Sequence, residues 1–583
     1  MTRFRDTCNV YVLHAGDGAA VLVDFGDGRV LDRLDELGVR LVTDVLLTHH
    51  HRDQLGGLAR AAAAGIRIWA PPVEVELIAG MDERWRTRRT WNDYDLRQDR
   101  FSLLESVPVT GTVAEYLTQR YGGIDVYTLP TPGHTLGSVS YLVELDGRRL
   151  AFTGDLVYGH GQLWSPAATQ WTYSGIEGWV ASITSAAVLA AREPDLLLPS
   201  HGEPVDDPRG SLETLSRRLQ GLIDLRLPQP WDASERVREP FEAITPHLLR
   251  NRTMFATSYV LLSETGAALL IDFGYDVSTT ATATERTARR TLLWSLDALR
   301  RDFGVERIDA ALVTHYHDDH VAGLNLLREV EGAEVWAPAN VAPILERPER
   351  YDLPCLWFDP IPVDRTIPFE QPLRWHEHEL TLYPLPGHTR YAAAIGFEVD
   401  RRRILVTGDQ QTDEPGGKSL LNIQYRNRGV PEDFRASAEL YRHLRPDLVL
   451  GGHWLPFELT DARLAQLTED AERLVELHRL LAPAESFGTE GFGARIEPYR
   501  AAPGETAFTV TVRNPFDRAD TARVRLVVPD GWRVEPAERE VELGPRGEAE
   551  VSFDVRADGP GVLAADLTVG ETAYGQQAEA IVS

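Results

Sequence analysis

Two short segments of the chain concentrate histidine and aspartate directly after an apolar run. The first segment is TDVLLTHHHRDQLGG, residues 43–57, and the second is IDAALVTHYHDDHVAG, residues 308–323. Protonated imidazoles this close repel one another, and imidazoles and carboxylates compete for the same protons, unless a metal ion organises them. The two segments therefore predict metal-binding sites.

The segments belong to a longer internal repeat, because other stretches match in the same order in both halves of the chain. The matches are residues 8–26 with 256–274, TLPTPGHT (128–135) with YPLPGHT (383–389), LAFTGD (150–155) with ILVTGD (404–409), and PDLLLPSH (194–201) with PDLVLGGH (446–453). Repetition of this kind constrains the architecture. It predicts two copies of one domain with the reactive residues at matched positions.

The second repeat offers a complete set of ligands for two metal ions. One ion would be held by the imidazoles of His315, His317 and His388. The other would be held by Asp319, His320 and His453, with Asp409 placed to bridge the two ions. Nitrogen and oxygen ligands of this kind suit Zn²⁺ best, with Fe and Mn as competitors.

These ligands need a scaffold that brings them together, and the sequence predicts the edge of a sheet. Each matched histidine or aspartate follows a short apolar run that is typical of a buried strand. Helical patterns at 211–225 and 461–482 close the two repeats, and a Pro-containing polar connector occupies residues 227–240. After residue 491 the residues alternate with period two between turn signals, which predicts a small β-sandwich.

The motifs resemble those of the metallo-β-lactamase fold superfamily, whose signature is His-x-His-x-Asp-His, then a lone Gly-His, an Asp after a strand and a last His. The resemblance covers about residues 5–225 and again 244–482. It implies an α/β fold of two αββα sandwiches in tandem, each with its metals at one edge of the sheets. We predict three domains, at 1–230, 244–484 and 493–583, the last being an all-β immunoglobulin-like sandwich.

The resemblance implies a matching ligand set in the first repeat, with one departure. The implied ligands are His49, His51, His134, Asp53, His201 and a bridging Asp155. Gln54 stands where the family has its fourth motif histidine, and glutamine can coordinate only through its amide oxygen, a weaker ligand for zinc than imidazole. We therefore expect two zinc ions in the second repeat and one or two in the first.

The resemblance and the ligand chemistry together predict a metal-dependent hydrolase of a small ester, lactone, thioester or related substrate. A water between two ions would lose its proton near neutral pH and become the nucleophile. Asp319, and Asp53 at the matched position, would be catalytic because they orient this hydroxide. His50 and Tyr316 are expected to pack or to support ligands, because alternate residues of an extended segment point away from each other.

Two alternatives stay open on the sequence. The family also contains iron enzymes that oxidise persulfides, so an iron-dependent persulfide dioxygenase-like enzyme is one of them. The other is a binding protein with a degenerate first repeat, in which the C-terminal tail recognises the partner. That tail resembles NEW3-type or CARDB-like accessory sandwiches in its VPDGW and GEAEVSFDV segments. It carries no ligand motif, so we expect it to be dispensable for turnover.

The residues around the predicted pockets indicate a substrate class only loosely. Basic residues precede the last ligand of the second repeat and could hold an anionic group or be solvated loop charges: Lys418, Arg426 and Arg428. Aromatic residues occupy the corresponding stretch of the first repeat and could stack on a ligand or cover the core: Trp164, Trp171 and Tyr173.

Composition excludes some classes of partner. The net charge of −28 argues against nucleic acid, and no apolar run reaches the roughly 18 residues of a membrane span. The expected partner is a small-molecule substrate. Two cysteines and the absence of a signal-type segment after Met1 indicate a cytoplasmic protein. Because the second repeat has an additional strand-like lead from Ile244, a longer N-terminus and secretion stay open. The short connector favours pairing of the two repeats within the chain.

Overall fold

The fold is taken from a computed structural model that describes residues 1–88, 98–173, 175–227, 232–276, 290–414, 418–483 and 485–583. These residues form two compact units. The first unit comprises Met1–Glu242, Arg252–Phe255 and Tyr275–Gly304, and the second comprises Ala243–Asn251, Ala256–Gly274 and Val305–Ser583. The predicted domain limits at 230 and 484 lie outside the described residues, so the division into three domains stays a prediction.

Two sheets form the centre of the first unit. The strands of one sheet, in spatial as well as chain order, are β1 (Thr2–Arg5), β2 (Asn9–Gly16), β3 (Ala19–Val23), β4 (Leu41–Leu46), β5 (Arg67–Ala70) and β6 (Gly111–Thr112). The strands of the other are β7 (Thr118–Tyr121), β8 (Ile124–Pro130), β9 (Val139–Leu145), β10 (Arg148–Gly154) and β11 (Leu196–Pro199). Antiparallel pairs β1–β2 and β2–β3 lead into parallel pairs from β3 to β6, and β10 pairs with β11 in parallel.

Strand β2 shows why both faces of its sheet are covered. Successive strand residues point to opposite faces, so Tyr11 and Leu13 pack between the two sheets, while Val10 and Val12 pack in a separate cluster with Leu58 of a helix. The helices of this unit are α1 (Arg52–Leu55), α2 (Leu58–Ala63), α3 (Glu76–Ala79), α4 (Met81–Thr87), α5 (Glu177–Ala191), α6 (Pro208–Arg226), α7 (Ala233–Arg238) and α8 (Leu296–Phe303).

The second unit repeats this arrangement of strands. Its first sheet is β12 (Phe241–Thr245, of which the last three residues belong to this unit), β13 (Leu248–Asn251), β14 (Tyr259–Leu262), β15 (Ala267–Ile271), β16 (Arg307–Leu312), β17 (Glu334–Pro338) and β18 (Arg365–Ile367). Its second sheet is β19 (Pro372–Trp375), β20 (His378–Pro384), β21 (Ala393–Val399), β22 (Arg402–Gly408), β25 (Leu448–Gly451) and β26 (Phe457–Glu458), and a small hairpin follows β22, made of β23 (Gln411–Glu414) and β24 (Lys418–Leu421). As in the first unit, the last long strand pairing, β22 with β25, is parallel.

Helices cover the sheets of the second unit on the outside. They are α9 (Asp318–Val321), α10 (Leu324–Glu331), α11 (Ala342–Glu346), α12 (Asp433–Leu444) and α13 (Asp461–Leu481). Leu269 and Ile395 share the core between the two sheets, whereas Leu405 packs outward against Tyr441 of α12 and Leu464 of α13. On the other side α10 contacts β16 and β17. The predicted α/β fold with paired sheets between helices is therefore present.

The C-terminal residues form two further sheets around one apolar core. One contains β27 (Ala494–Glu497), β29 (Gly504–Arg513), β31 (Arg533–Glu535) and β33 (Glu548–Ala557), and the other contains β28 (Arg500–Ala501), β30 (Asp520–Val527), β32 (Arg539–Leu543), β34 (Gly561–Val569) and β35 (Thr572–Val582). Alternate residues such as Phe508, Val510 and Val512 enter the core. The likeness to a particular family of sandwiches stays a prediction. None of the described helices is long and apolar enough to span a membrane.

Candidate metal centres

The predicted ligands lie in the segments that follow strand ends, and Asp319 and His320 belong to the short helix α9 in such a segment. His315 follows β16, Asp409 follows β22 and His453 follows β25. Gly408, the last residue of β22, has a φ of +51°, and a Cβ there would lie 2.9 Å from Thr314 Oγ1. A left-handed residue in close approach suits glycine alone. The backbone therefore turns at this position and brings Asp409 beside the first histidine motif.

The three-histidine cluster of the second repeat consists of His315, His317 and His388, whose candidate ligand atoms lie within 4.8 Å of one another. His317 Nδ1 and His388 Nε2 face each other at 3.2 Å. The other ring nitrogens face outward, where His388 Nδ1 donates to the carbonyl of Asn422 at 3.1 Å and His317 Nε2 donates to Asn427 Oδ1 at 3.2 Å. The outward bonds leave the inward nitrogens unprotonated, as metal ligation requires.

The carboxylate cluster of the second repeat consists of Asp319, His320, Asp409 and His453, again within 4.8 Å. His453 Nε2 lies 3.1 Å from Asp319 Oδ2 and 3.2 Å from Asp409 Oδ2, and His320 Nε2 lies 3.3 Å from Asp409 Oδ1. On its far side His320 Nδ1 donates to Asp272 Oδ2 at 2.8 Å. Asp272 also accepts from Thr314, at its backbone N (2.7 Å) and its Oγ1 (2.6 Å), and so connects the two ends of the motif.

The two clusters of the second repeat differ in charge. Burial lowers the pKa of His315 and His388, and it lowers that of His317 to about 4. Burial also disfavours the charged form of His453, but Asp409 and Asp319 outweigh it and raise its pKa to about 10. The first cluster is thus a set of neutral imidazoles, and the second is a pair of carboxylates that attracts positive charge.

The three-histidine cluster of the first repeat consists of His49, His51 and His134. His51 Nδ1 and His134 Nε2 face each other at 2.9 Å, as their counterparts do in the second repeat. The outward nitrogens differ, because neither His51 Nε2 nor His134 Nδ1 has a hydrogen-bond partner in the described part of the chain. Burial lowers the pKa of His49 and His51, and lowers that of His134 to about 4.

The carboxylate cluster of the first repeat consists of Asp53, Asp155 and His201. Gln54 is buried beside it, but its amide Nε2 donates to Asp155 Oδ2 at 2.9 Å, whereas its Oε1 has no hydrogen-bond partner among the described residues. His201 Nδ1 contacts Asp155 Oδ1 at 2.9 Å, and its Nε2 donates to the carbonyl of Thr7 at 3.1 Å. Gln54 thus stands at the position that matches His320, and it donates a hydrogen bond to the carboxylate of Asp155.

Several supporting residues were not identified in the sequence. Asp24, the counterpart of Asp272, accepts from Thr48 N (2.9 Å) and from Ser200 Oγ (2.5 Å). The signal was available, because Asp24 and Asp272 both stand in the matched Asp-Phe-Gly ends of the repeated segments. Asn422 and Asn427 carried no such signal, since the loop that holds them has no counterpart of similar sequence.

The residues between the ligands support the motifs from behind. The imidazole of His50 contacts the buried carboxylate of Glu74, which also accepts from Thr135 Oγ1 at 2.7 Å and Gly137 N at 2.8 Å. Glu74 therefore connects the first motif to the loop of His134. In the second repeat Tyr316 Oη donates to Asn427 Oδ1 at 2.7 Å. This placement is compatible with the supporting role expected for His50 and Tyr316.

The other residues singled out in the sequence fall in different environments. Trp164 stacks on the imidazole of His201 with ring centroids 4.1 Å apart, Trp171 is buried in a small apolar cluster, and Tyr173 is exposed. Lys418 is exposed at the start of β24. Arg426 and Arg428 line a cavity of about 260 Å³ whose other walls include residues of the C-terminal sheets.

The donor set fits divalent metal ions. Buried histidine nitrogens such as His49 Nε2 and His315 Nε2 have no hydrogen-bond partner in the described ranges. A buried polar atom without a partner is costly, and an ion bound at the three-histidine cluster would satisfy it. Three imidazoles beside a cluster of carboxylates and imidazole form a set that zinc accepts, and iron or manganese would also be compatible.

Comparisons with known proteins agree with this geometry. The family model described as the metallo-beta-lactamase superfamily matches residues 3–218 and 252–453, together more than half of the chain. A hydroxyacylglutathione hydrolase of Bradyrhizobium sp. is 30% identical over 154 residues, which cover 26% of this chain and 48% of the relative. One from Shewanella pealeana is 26% identical over 213 residues, or 36% and 68% of the two chains.

The matched region thus spans about half the length of the first of these relatives. Among solved structures, a metallo-β-lactamase from Novosphingobium pentaromativorans aligns with a TM-score of 0.32 and 19% identity, over 42% of this chain and 92% of that one.

Proposed function

Because the chain belongs to the metallo-β-lactamase superfamily, we propose that it is a metal-dependent hydrolase, with zinc as its metal, that cleaves a small ester, lactone, thioester or related substrate. The observation that supports this most is the second repeat, where three neutral imidazoles lie beside a carboxylate cluster at one sheet edge. The proposed content is two ions there and one or two in the first repeat.

The side chains have separable roles in this proposal. Bound zinc ions would supply an activated water and polarise the bond under attack. Asp319 would take the proton of that water and orient it, since its side chain is the more exposed of the two carboxylates, at 13% against 7% for Asp409. His453 Nε2, which lies between Asp319 and Asp409, would hold the second ion together with them. In the first repeat, Asp53 would have the role that Asp319 has in the second.

Among the proposed substrates we place thioesters first. The relatives that match this chain are named hydroxyacylglutathione hydrolases, and an acylglutathione is a thioester. Their identity to this chain is low and their coverage partial, so the acyl group and the thiol stay part of the proposal. The supporting chemistry is general, because a thioester carbonyl needs both a nucleophile and stabilisation of the developing oxyanion.

The test is metal content followed by a substrate panel on the purified full chain. We expect three to four zinc ions per chain, and hydrolysis of hydroxyacylglutathione that exceeds hydrolysis of an aryl ester and of a lactone. Chelation should abolish the activity and added zinc should restore it. Zinc-loaded protein that hydrolyses none of these compounds would overturn the proposal.

The same preparation tests the alternative of an iron-dependent persulfide dioxygenase-like enzyme. Iron-loaded protein would be given glutathione persulfide in an oxygen electrode. We expect no oxygen uptake above that of the zinc form. Uptake that depends on both iron and persulfide, without thioester hydrolysis, would make the alternative the better description.

A further inference from the structure

We propose that the C-terminal sheets are a working part of the second metal centre, because they hold the loop whose residue Asn427 positions the metal ligand His317. This inference rests on the proposed metal binding of the second repeat. It assigns Asn427 as a positioning residue and gives the C-terminal region a role beyond that of a dispensable module.

Asn427 determines which nitrogen of His317 is available. Its Oδ1 accepts from His317 Nε2 at 3.2 Å and from Tyr316 Oη at 2.7 Å, and the residue is 3% exposed. With the proton held on Nε2, Nδ1 presents its lone pair toward His388 and the centre of the cluster. Partners of this kind outside a metal site fix the tautomer and ring orientation of a ligating histidine, and their loss commonly costs about 10- to 100-fold in affinity or activity.

The backbone around Asn427 is strained and is therefore held from outside. Arg426 and Arg428 have φ values of +67° and +59°, conformations that non-glycine residues keep only where the surrounding structure imposes them. On the side of the segment that carries His388, Asn427 O accepts from Arg390 N at 2.9 Å. Gly429 lies so close to Gly387 that a Cβ would clash with the Gly387 carbonyl.

The opposite side of this loop is held by the chain that leads into and forms the C-terminal sheets. Thr489 Oγ1 donates to the carbonyl of Gly429 at 2.8 Å, and Arg426 N donates to the carbonyl of Thr489 at 3.1 Å. Arg428 is 7% exposed and donates both to Tyr391 Oη at 2.5 Å and to Glu497 Oε1 of β27 at 3.4 Å. The loop is thus clamped between the residues after His388 and the C-terminal region.

The first repeat serves as an internal comparison. Its equivalent histidine, His51, has no hydrogen-bond partner at Nε2 in the described part of the chain. A change at Asn427 should therefore weaken the second repeat alone. A merely structural effect would lower the stability of the fold without a preference for one metal cluster.

The experiment uses the full chain with His49→Ala and His51→Ala as a common background, so that metal binding reports on the second repeat. Zinc affinity is measured by competition with a chromophoric chelator, and the coordination by the visible spectrum of the cobalt(II) form. We expect Asn427→Leu to weaken zinc about 10- to 100-fold and change the cobalt spectrum. Asn427→Asp, which keeps the acceptor oxygen, should stay within about threefold of the background.

The clamp is tested by the pair Thr489→Ala/Glu497→Gln, with Glu550→Gln as a matched control on an exposed carboxylate of β33. The pair should weaken zinc by about 3- to 30-fold and the control should not change it. Folding of each variant is checked by its thermal unfolding. Equal zinc affinity in Asn427→Leu, or in the clamp pair, would overturn the inference while leaving the proposed function intact. Loss of binding in the background protein itself would overturn the proposed function, and this inference with it.

Discussion

Gln54 and Ser200 form a coupled pair of differences between the repeats. In the second repeat the matched residues are His320 and Gly452, and His320 Nδ1 donates to Asp272. In the first repeat the matched carboxylate is Asp24, and its Oδ2 accepts a hydrogen bond from Ser200 Oγ at 2.5 Å. A histidine placed at position 54 would therefore find its supporting oxygen already occupied.

These two differences predict that positions 54 and 200 must be substituted together to raise the zinc affinity of the first repeat. Gln54→His alone should raise the zinc affinity of the first repeat less than threefold, whereas Gln54→His/Ser200→Gly should raise it about tenfold or more, because Asp24 is then free to orient the new imidazole. Zinc titration of both variants, with His315→Ala/His317→Ala as background, measures this. Equal affinities of the single and double variants would contradict the coupling.

Gly452 gives a complementary prediction in the second repeat. A Cβ there would clash with Asp409 and lie 2.8 Å from His320 Cε1, whereas a Cβ on the neighbouring Gly451 would have 3.8 Å to its nearest atom. Gly452→Ala should therefore weaken zinc at the carboxylate cluster by about 10-fold or more, and Gly451→Ala is the matched control. Competition with a chelator measures the zinc affinity of both variants. Unchanged affinity in Gly452→Ala would show that the carboxylate cluster can shift without loss of zinc binding.

The aspartates proposed to bridge the ions give a prediction about which repeat contributes more to hydrolysis. Asp409→Asn should reduce hydrolysis by more than about 100-fold, and Asp155→Asn by less, because only the second repeat has every group for a second ion. Turnover of both variants on one substrate, with metal content determined in parallel, provides the measurement. If Asp155→Asn is the more damaging change, the first repeat is the main active site.

At the scale of elements, β33 carries a charge network that makes stability depend on pH. Burial opposes ionisation of Glu548, but Arg495 and Arg513 outweigh it and lower the pKa to about 2 from an ordinary value of 4.5. Glu548 Oε1 accepts from Arg513 Nη2 at 2.7 Å. A carboxylate with a lowered pKa stabilises the fold above its ordinary pKa, and this contribution is lost as the pH falls through the folded value.

Glu548→Gln should therefore lower the free energy of unfolding at pH 6 by roughly 1–3 kcal/mol, between the values for exposed and buried pairs. The difference from the unmodified protein should shrink as the pH falls from about 4.5 toward about 2. Urea unfolding across this range tests the sign, with the exposed Glu550→Gln as control. A difference that grows toward acid pH would mean that another group dominates.

At the scale of the whole molecule, the compact units do not follow the repeat boundaries. Residues Tyr275–Gly304 come from the second repeat in sequence but belong to the first unit. There Arg290 pairs with Glu115 at 2.5 Å with both side chains buried, and Leu293 N donates to Tyr116 Oη at 3.0 Å. A fragment of residues 244–482 would lose these partners, so the full chain is the proper object for metal and activity measurements.

Arg290→Met tests this arrangement. Removing one partner of a buried ion pair leaves an uncompensated charge and typically costs about 3–5 kcal/mol. We expect a loss of this order in the free energy of unfolding, measured by denaturant, whereas Arg374→Met, at a side chain that is 84% exposed, should change it by less than about 0.5 kcal/mol. A neutral Arg290→Met would indicate that the segment is held without the pair. Pairing of the two repeats stays a prediction for small-angle scattering of the full chain.

The sequence by itself determined the parts of this protein that depend on residue type and local period. Apolar runs followed by histidine or aspartate predicted the strand ends, the internal repeat predicted two copies of one domain, and the alternation after residue 491 predicted further strands. Metal ligation restricts the residue types, so the motifs of the second repeat, and the family resemblance for the first, nominated the residues that the structure brings within 4.8 Å in each cluster. The roles of these residues as ligands stay a prediction until ions are measured.

Only the tertiary structure decided which residues support those ligands. Tyr316 and Asn427 are 111 residues apart in the chain, and Ser200 and Asp24 are 176 apart. Such contacts depend on how irregular loops close and pack. Loops have no residue periodicity from which these contacts could be predicted. For the same reason the packing of Tyr275–Gly304 in the first unit, and the clamp of Thr489 and Glu497 on the Asn427 loop, became visible only in three dimensions.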